Sequence, residues 1–262
     1  MEVVPVRAPG DVGRLVADAI EHLVRARPDA VLGLATGSSP LPVYQELIAR
    51  HRAGTGPSYA RVRAFLLDEY VGLPREDPRS FRATIARKLT DALDIDQAHV
   101  HAPDVDGPDL PGAGRRYEEA IASAGGIALQ LLGIGSDGHL AFNEPGSSLA
   151  SRTRMKTLTE RTRTDNARFF SDADDVPRHV LTQGLGTILD AGHLVLVASG
   201  EGKSSAVAAA VEGPVSASCP ASVLQLHPKV TVVVDDEAAC ALARLDYYRE
   251  VYAGKPDWQR PV

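Results

Sequence analysis

Five nearly continuous apolar runs, separated by amphipathic stretches of helical length, constrain this chain more than any other feature. They cover residues 31–35 (VLGLA), 62–67 (VRAFLL), 127–134 (IALQLLGI), 194–198 (LVLVA) and 230–234 (VTVVV). Unbroken apolarity, rather than strict alternation, is what strands buried on both faces require. Between the runs, residues 11–25 place Val12, Leu15, Val16, Ala19 and Leu23 on one stripe, with Asp11 as the expected N-terminal cap. Helices are also predicted over 41–52, 80–93, 114–123, 178–189, 202–212 and 236–252. The helix ending at Arg52 starts at Pro40 or Leu41, and its proline suits a first helical turn. Strand–helix alternation of this kind predicts an α/β fold: a doubly wound, mostly parallel, Rossmann-like sheet with helices on both faces.

Neither repeat, low-complexity tract nor linker divides the sequence, so one domain spanning 1–262 is expected. The polar stretch 145–175, rich in Ser, Thr and Arg, breaks the pattern. From composition it fits either a lid over a binding site or a solvated surface excursion.

Composition narrows the function classes. With 262 residues, 44% of them hydrophobic, the chain can bury a full core without staples. Its two cysteines, Cys219 and Cys240, form no disulfide framework and no zinc site of their own. A net charge of −6 argues against a nucleic-acid partner. No apolar stretch reaches the roughly 18–20 residues that span a bilayer. Glu2, Arg7 and Asp11 leave no room for a secretory apolar segment. A soluble cytoplasmic protein, with neither membrane nor nucleic acid as partner, is expected. There are 23 arginines but only five lysines: Lys88, Lys156, Lys203, Lys229 and Lys255.

In open α/β sheets, ligands bind beyond the carboxyl ends of the strands. Four runs end in reactive or anion-binding residues: Thr36, Gly37, Ser38 and Ser39; Asp68 and Glu69; Gly135 to His139; and Gly200 to Ser204. The first of these loops is suited to an anion at a helix N-terminus, although an ordinary strand-to-helix turn has the same composition. Lys203 is a point-charge partner for a phosphate or a solvated first-turn lysine. The glycine needed to make its neighbourhood a nucleotide P-loop is replaced by Val197. Residues 133–138 match G-x-G-x-x-G, but Pro145 and Gly146 interrupt the long helix a dinucleotide site needs. Asp137, His139 and Glu144 group two carboxylates around an imidazole, as a proton shuttle or a polar turn. Asp68 and Glu69 are adjacent on a strand, so only one of them should face the site.

At this point the motifs become recognisable. Residues 34–40 (LATGSSP), 67–74 (LDEYVGLP) and 133–145 (GIGSDGHLAFNEP) resemble the glucosamine-6-phosphate deaminases. So do 148–154 (SLASRTR), 168–170 (RFF), 181–187 (LTQGLGT) and 224–228 (LQLHP). The resemblance covers nearly the whole chain. The 6-phosphogluconolactonases share a similar G-x-G-x-D-G-H stretch but continue differently after the histidine, which makes Glu144 the discriminating residue. A non-catalytic sugar-phosphate sensor would lose Asp68 or His139 and add a DNA-binding domain, for which this length leaves no room.

The resemblance implies an aldose–ketose isomerisation with deamination: glucosamine 6-phosphate and water give fructose 6-phosphate and ammonia, with neither metal nor organic cofactor. It implies Asp68, Asp137, His139 and Glu144 as catalytic residues. Thr36, Gly37, Ser38, Ser39, Arg168 and Lys203 would hold the phosphate. A segment of about residues 146–183 would close as the lid. It further implies a homo-oligomer, a hexamer in some members, and N-acetylglucosamine 6-phosphate as an activator bound by Ser147, Arg154 and Lys156.

Overall fold

The computed structural model describes residues 1–262 except 75, 168, 169, 171, 257, 258 and 260–262, and describes the backbone alone at 161, 165 and 173. Seven strands form one sheet: β1 (Glu2–Val6), β2 (Val31–Leu34), β3 (Arg63–Leu66), β5 (Val100–His101), β6 (Leu129–Leu132), β9 (Leu194–Ala198) and β10 (Val230–Asp235). Their spatial order is β1-β10-β9-β6-β2-β3-β5, and every pairing is parallel. A second, antiparallel sheet joins β4 (Asp68–Val71), β8 (His179–Thr182) and β7 (Arg154–Thr157) in that order.

Side chains alternate between two apolar layers, which is why the strands read as continuous apolar runs. Leu194, Leu196 and Ala198 face one layer, and Val195 and Val197 face the other. The first layer is covered by α4 (Leu110–Ser123), α6 (Leu185–Leu189), α7 (Ser204–Val211) and α8 (Asp236–Ala239). The second is covered by α1 (Pro9–Ala26), α2 (Leu41–Arg52) and α3 (Phe81–Lys88). The fold is therefore doubly wound, as expected. From β2 the chain builds outward through β3 to β5. From β6 it builds the other way, through β9 and β10. The reversal lies between β2 and β6, where a crevice opens beyond the strand ends.

Several expectations need correction. The helix predicted over 178–189 is strand β8 followed by the short α6. Val180, Leu181 and Thr182 pair with β4, and Gly184 then starts the helix. The pairing partner, distant in sequence, outweighs local periodicity. The 236–252 helix is two pieces, α8 and α9 (Leu245–Ala253). The 80–93 helix is α3 followed by a single 3-10 turn, Thr90–Ala92. Asp11 is not the cap: α1 begins at Pro9, and Asp11 sits in the first turn, its carboxylate accepting the Ala8 N–H at 3.1 Å. The polar stretch is more regular than its composition implies, holding β7 and the helix α5 (Glu160–Asn166).

Candidate active site

The crevice at the reversal holds a cavity of about 680 Å³. Its wall includes Thr36, Gly37, Ser38, Ser39, Asp68, Asp137, His139, Glu144 and Lys203. The four strand-end clusters singled out above thus converge on one space. They do so because parallel strands carry all their carboxyl ends to the same edge.

The loop 36–39 follows β2 and leads into α2. The Tyr44 hydroxyl, buried in α2, anchors it by donating to the Ala35 carbonyl at 2.7 Å and accepting the Ala35 N–H at 3.2 Å. Lys203 ends a one-turn helix, Glu201–Lys203, between β9 and α7. Two helices, α2 and α7, therefore begin beside the cavity, and the positive ends of their dipoles favour an anion there.

Asp68 is the first residue of β4, where the chain leaves the parallel sheet for the antiparallel one. Alternation separates it from Glu69, as predicted. Glu69 turns away and accepts the backbone N–H groups of Tyr70, Phe81 and Arg82, each at 2.9 Å, which ties it to the start of α3. Asp68 faces the cavity at only 5% exposure. Burial, reinforced by the nearby Glu69 charge, pushes its carboxyl from the ordinary 3.8 up to about 8.

The turn after β6 presents Asp137 and His139. Nδ1 of His139 lies 2.6 Å from Oδ1 of Asp137, and the Gly135 N–H donates to the His139 carbonyl at 3.0 Å. The imidazole packs against Gly135, where a Cβ would stand 2.2 Å from the ring, so only glycine allows this placement. Burial alone would raise the Asp137 carboxyl, but the His139 imidazole and its hydrogen bonds hold it below the usual range. Downstream, Ala141 adopts φ 51°, a left-handed conformation. Fully buried Asn143 pins the turn by donating to the carbonyls of Leu140 at 3.0 Å and Gln183 at 2.8 Å.

Glu144 takes its hydrogen bonds from hydroxyls at the start of α5: Thr162, and Thr159 at 3.4 Å. Thr159, Thr162 and Asn166 line the cavity and were missed from the sequence. Their 3–4 residue spacing after a capping threonine is the signal that could have found them. Arg168 lies outside the described residues. Ser147, Arg154 and Lys156 do not line the cavity. Arg154 and Lys156 share one face of β7, and Arg154 donates to Oδ1 of Asn143 at 2.9 Å. Ser147 is buried. Among the described residues, no group of three His, Cys, Asp or Glu is arranged to hold a metal ion. No helix among them is long and apolar enough to cross a membrane.

Residues 8–233 match the family model described as glucosamine-6-phosphate isomerases/6-phosphogluconolactonase. The chain belongs to this isomerase/lactonase family. Within the family, a glucosamine-6-phosphate deaminase of Pseudarthrobacter chlorophenolicus is 60% identical over 259 residues, 99% of each chain. One from Streptomyces coelicolor is 57% identical over 260 residues, also 99% of each chain. A solved monomeric glucosamine-6-phosphate deaminase superposes with a TM-score of 0.88 at 39% identity, covering 92% of this chain and 100% of its own. The lactonase side of the family shares the fold: 6-phosphogluconolactonase from Trypanosoma brucei superposes at 0.74 with 21% identity, covering 92% of this chain and 98% of its own.

Proposed function

We propose that this protein converts glucosamine 6-phosphate and water to fructose 6-phosphate and ammonia, with the cavity at the sheet reversal as its active site. The observation that carries the reading is a buried carboxyl, Asp68, held proton-competent near neutral pH in the same cavity as the Asp137–His139 pair. Isomerisation of an aldose needs both a ring-opening proton shuttle and a base for the carbon-bound proton.

In this reading the phosphate sits on Thr36, Gly37, Ser38 and Ser39, with Lys203 and Arg168 as cationic partners. Charge-assisted hydrogen bonds of this kind contribute roughly 1.5–3 kcal/mol each. His139, its Nδ1 occupied by Asp137, uses its other nitrogen to move a proton between O1 and O5. Glu144 assists in polarising it, and the sugar opens to the aldehyde. Asp68 takes the C2 proton, now acidified, and returns it to C1. The resulting imine at C2 adds water and releases ammonia. The segment 146–183 acts as a lid within a single domain, excluding water while the open chain reacts.

The same reading places the enzyme in the cytoplasm as a homo-oligomer activated by N-acetylglucosamine 6-phosphate at Ser147, Arg154 and Lys156. The Arg154–Asn143 hydrogen bond supports the activation, because Asn143 holds the turn that carries Ala141 and Glu144. Light scattering reads the assembly. Activation is read as a lower substrate concentration at half-maximal rate.

The test is direct. Purified protein incubated with glucosamine 6-phosphate should release ammonia and fructose 6-phosphate in equal amounts and leave 6-phosphogluconolactone untouched. Absence of both products, with and without the activator, overturns the reading.

A further inference from the structure

Two hydroxyls at the start of α5, those of its cap Thr159 and of Thr162, reach Glu144. Glu144 belongs to the turn after β6, in the wall of the cavity. Thr159 and Thr162 line the same cavity from the start of α5. Both hydroxyls approach the same oxygen, Oε1 of Glu144. The two hydroxyls also lie 3.0 Å from each other.

We propose that Thr162 is a positioning residue for the reaction, setting the orientation of Glu144 and so making that carboxylate's geometry depend on the seating of α5. The inference rests on the role given to Glu144 above. A glutamate side chain has three rotatable torsions, and a carboxylate that lines an open cavity has no reason to keep one orientation unless donors hold it. Two donors on one oxygen fix that oxygen and leave Oε2 as the one to engage the imidazole or the sugar. Catalytic groups must be held within about 0.5 Å of productive geometry, so loss of one donor reaches the chemistry.

The two threonines are not equivalent, and this makes the idea testable. Thr159 caps α5, accepting the Thr162 backbone N–H on its side-chain oxygen at 3.2 Å. Replacing it would disturb the helix and Glu144 together. The Thr162 hydroxyl touches the capping oxygen, but the capping bond itself is made by the Thr162 backbone N–H, which a substitution at 162 keeps. Thr162→Val keeps the shape and removes only the hydroxyl, whereas Thr162→Ser keeps the hydroxyl.

The experiment measures kcat and KM for wild type, Thr162→Val and Thr162→Ser with glucosamine 6-phosphate. One hydrogen bond to a charged group corresponds to a rate factor of roughly 10–100. Thr162→Val should therefore lose about tenfold or more in kcat with KM within about twofold, and Thr162→Ser should restore most of the rate. Equal rates for wild type and Thr162→Val, or equal losses in both variants, would overturn the positioning role. A wild-type enzyme that releases no ammonia would instead overturn the function on which it rests, so the two failures are distinguishable.

Discussion

Oδ1 of Asp137 receives both the backbone N–H of His139, at 3.2 Å, and its ring nitrogen Nδ1, at 2.6 Å. One carboxylate oxygen therefore sets the backbone turn and the tautomer of the imidazole that closes it. Asp137→Asn keeps the shape but removes the charge that fixes the tautomer. It should lower kcat by about 100-fold or more. Steady-state kinetics with the purified variant check this, and a rate within about twofold of wild type would contradict it.

Asp68 must be ionised to accept the C2 proton. Its carboxyl is raised to about 8, so the rate should climb through the neutral range instead of being level above pH 5. The profile of kcat/KM against pH should show an acidic limb with a midpoint near 8 in the free enzyme. A limb lying wholly below pH 6 would show that Asp68 is not the essential base.

The same burial makes Asp68 a cost to stability. A carboxyl raised in the fold stays protonated there while the unfolded chain ionises, so stability falls as pH rises from about 4 to about 8. Asp68→Asn removes this dependence. It should raise the melting temperature at pH 8 by several degrees, with little gain at pH 4. Thermal melts at the two pH values measure the difference.

Much of the fold was legible because buried parallel strands leave unbroken apolar runs, and runs such as 194–198 became strands over the same residues. The cavity was legible for a related reason: strand ends are local in sequence, and parallel order gathers them on one edge. What escaped detection depends on distant partners. Residues 179–182 carry a helix-compatible pattern, and pairing with Asp68–Val71 on one side and Arg154–Thr157 on the other makes them a strand. Thr159 and Thr162 carry the spacing of a helix start, but nothing local in sequence pairs them with Glu144.

Asn143 tests how far the catalytic turn depends on its buried brace. Its amide holds two carbonyls, and its oxygen accepts from Nη1 of Arg154. Asn143→Leu fills similar volume and removes all three of these side-chain hydrogen bonds, leaving the Leu140 carbonyl only the backbone N–H of residue 143 and Arg154 Nη1 only the Arg152 carbonyl. It should cost about 2–4 kcal/mol of stability, read as a lower urea midpoint.

The central claim is that Asp68 moves the carbon-bound proton of an amino-sugar phosphate in this cavity. Wild type and Asp68→Asn are incubated with glucosamine 6-phosphate in deuterium oxide, and ammonia, fructose 6-phosphate and deuterium at C1 are measured. The account predicts that wild type forms both products, with deuterium entering C1. Asp68→Asn should still bind the phosphosugar but neither exchange the proton nor release ammonia. Turnover by the variant at a rate near wild type would contradict it.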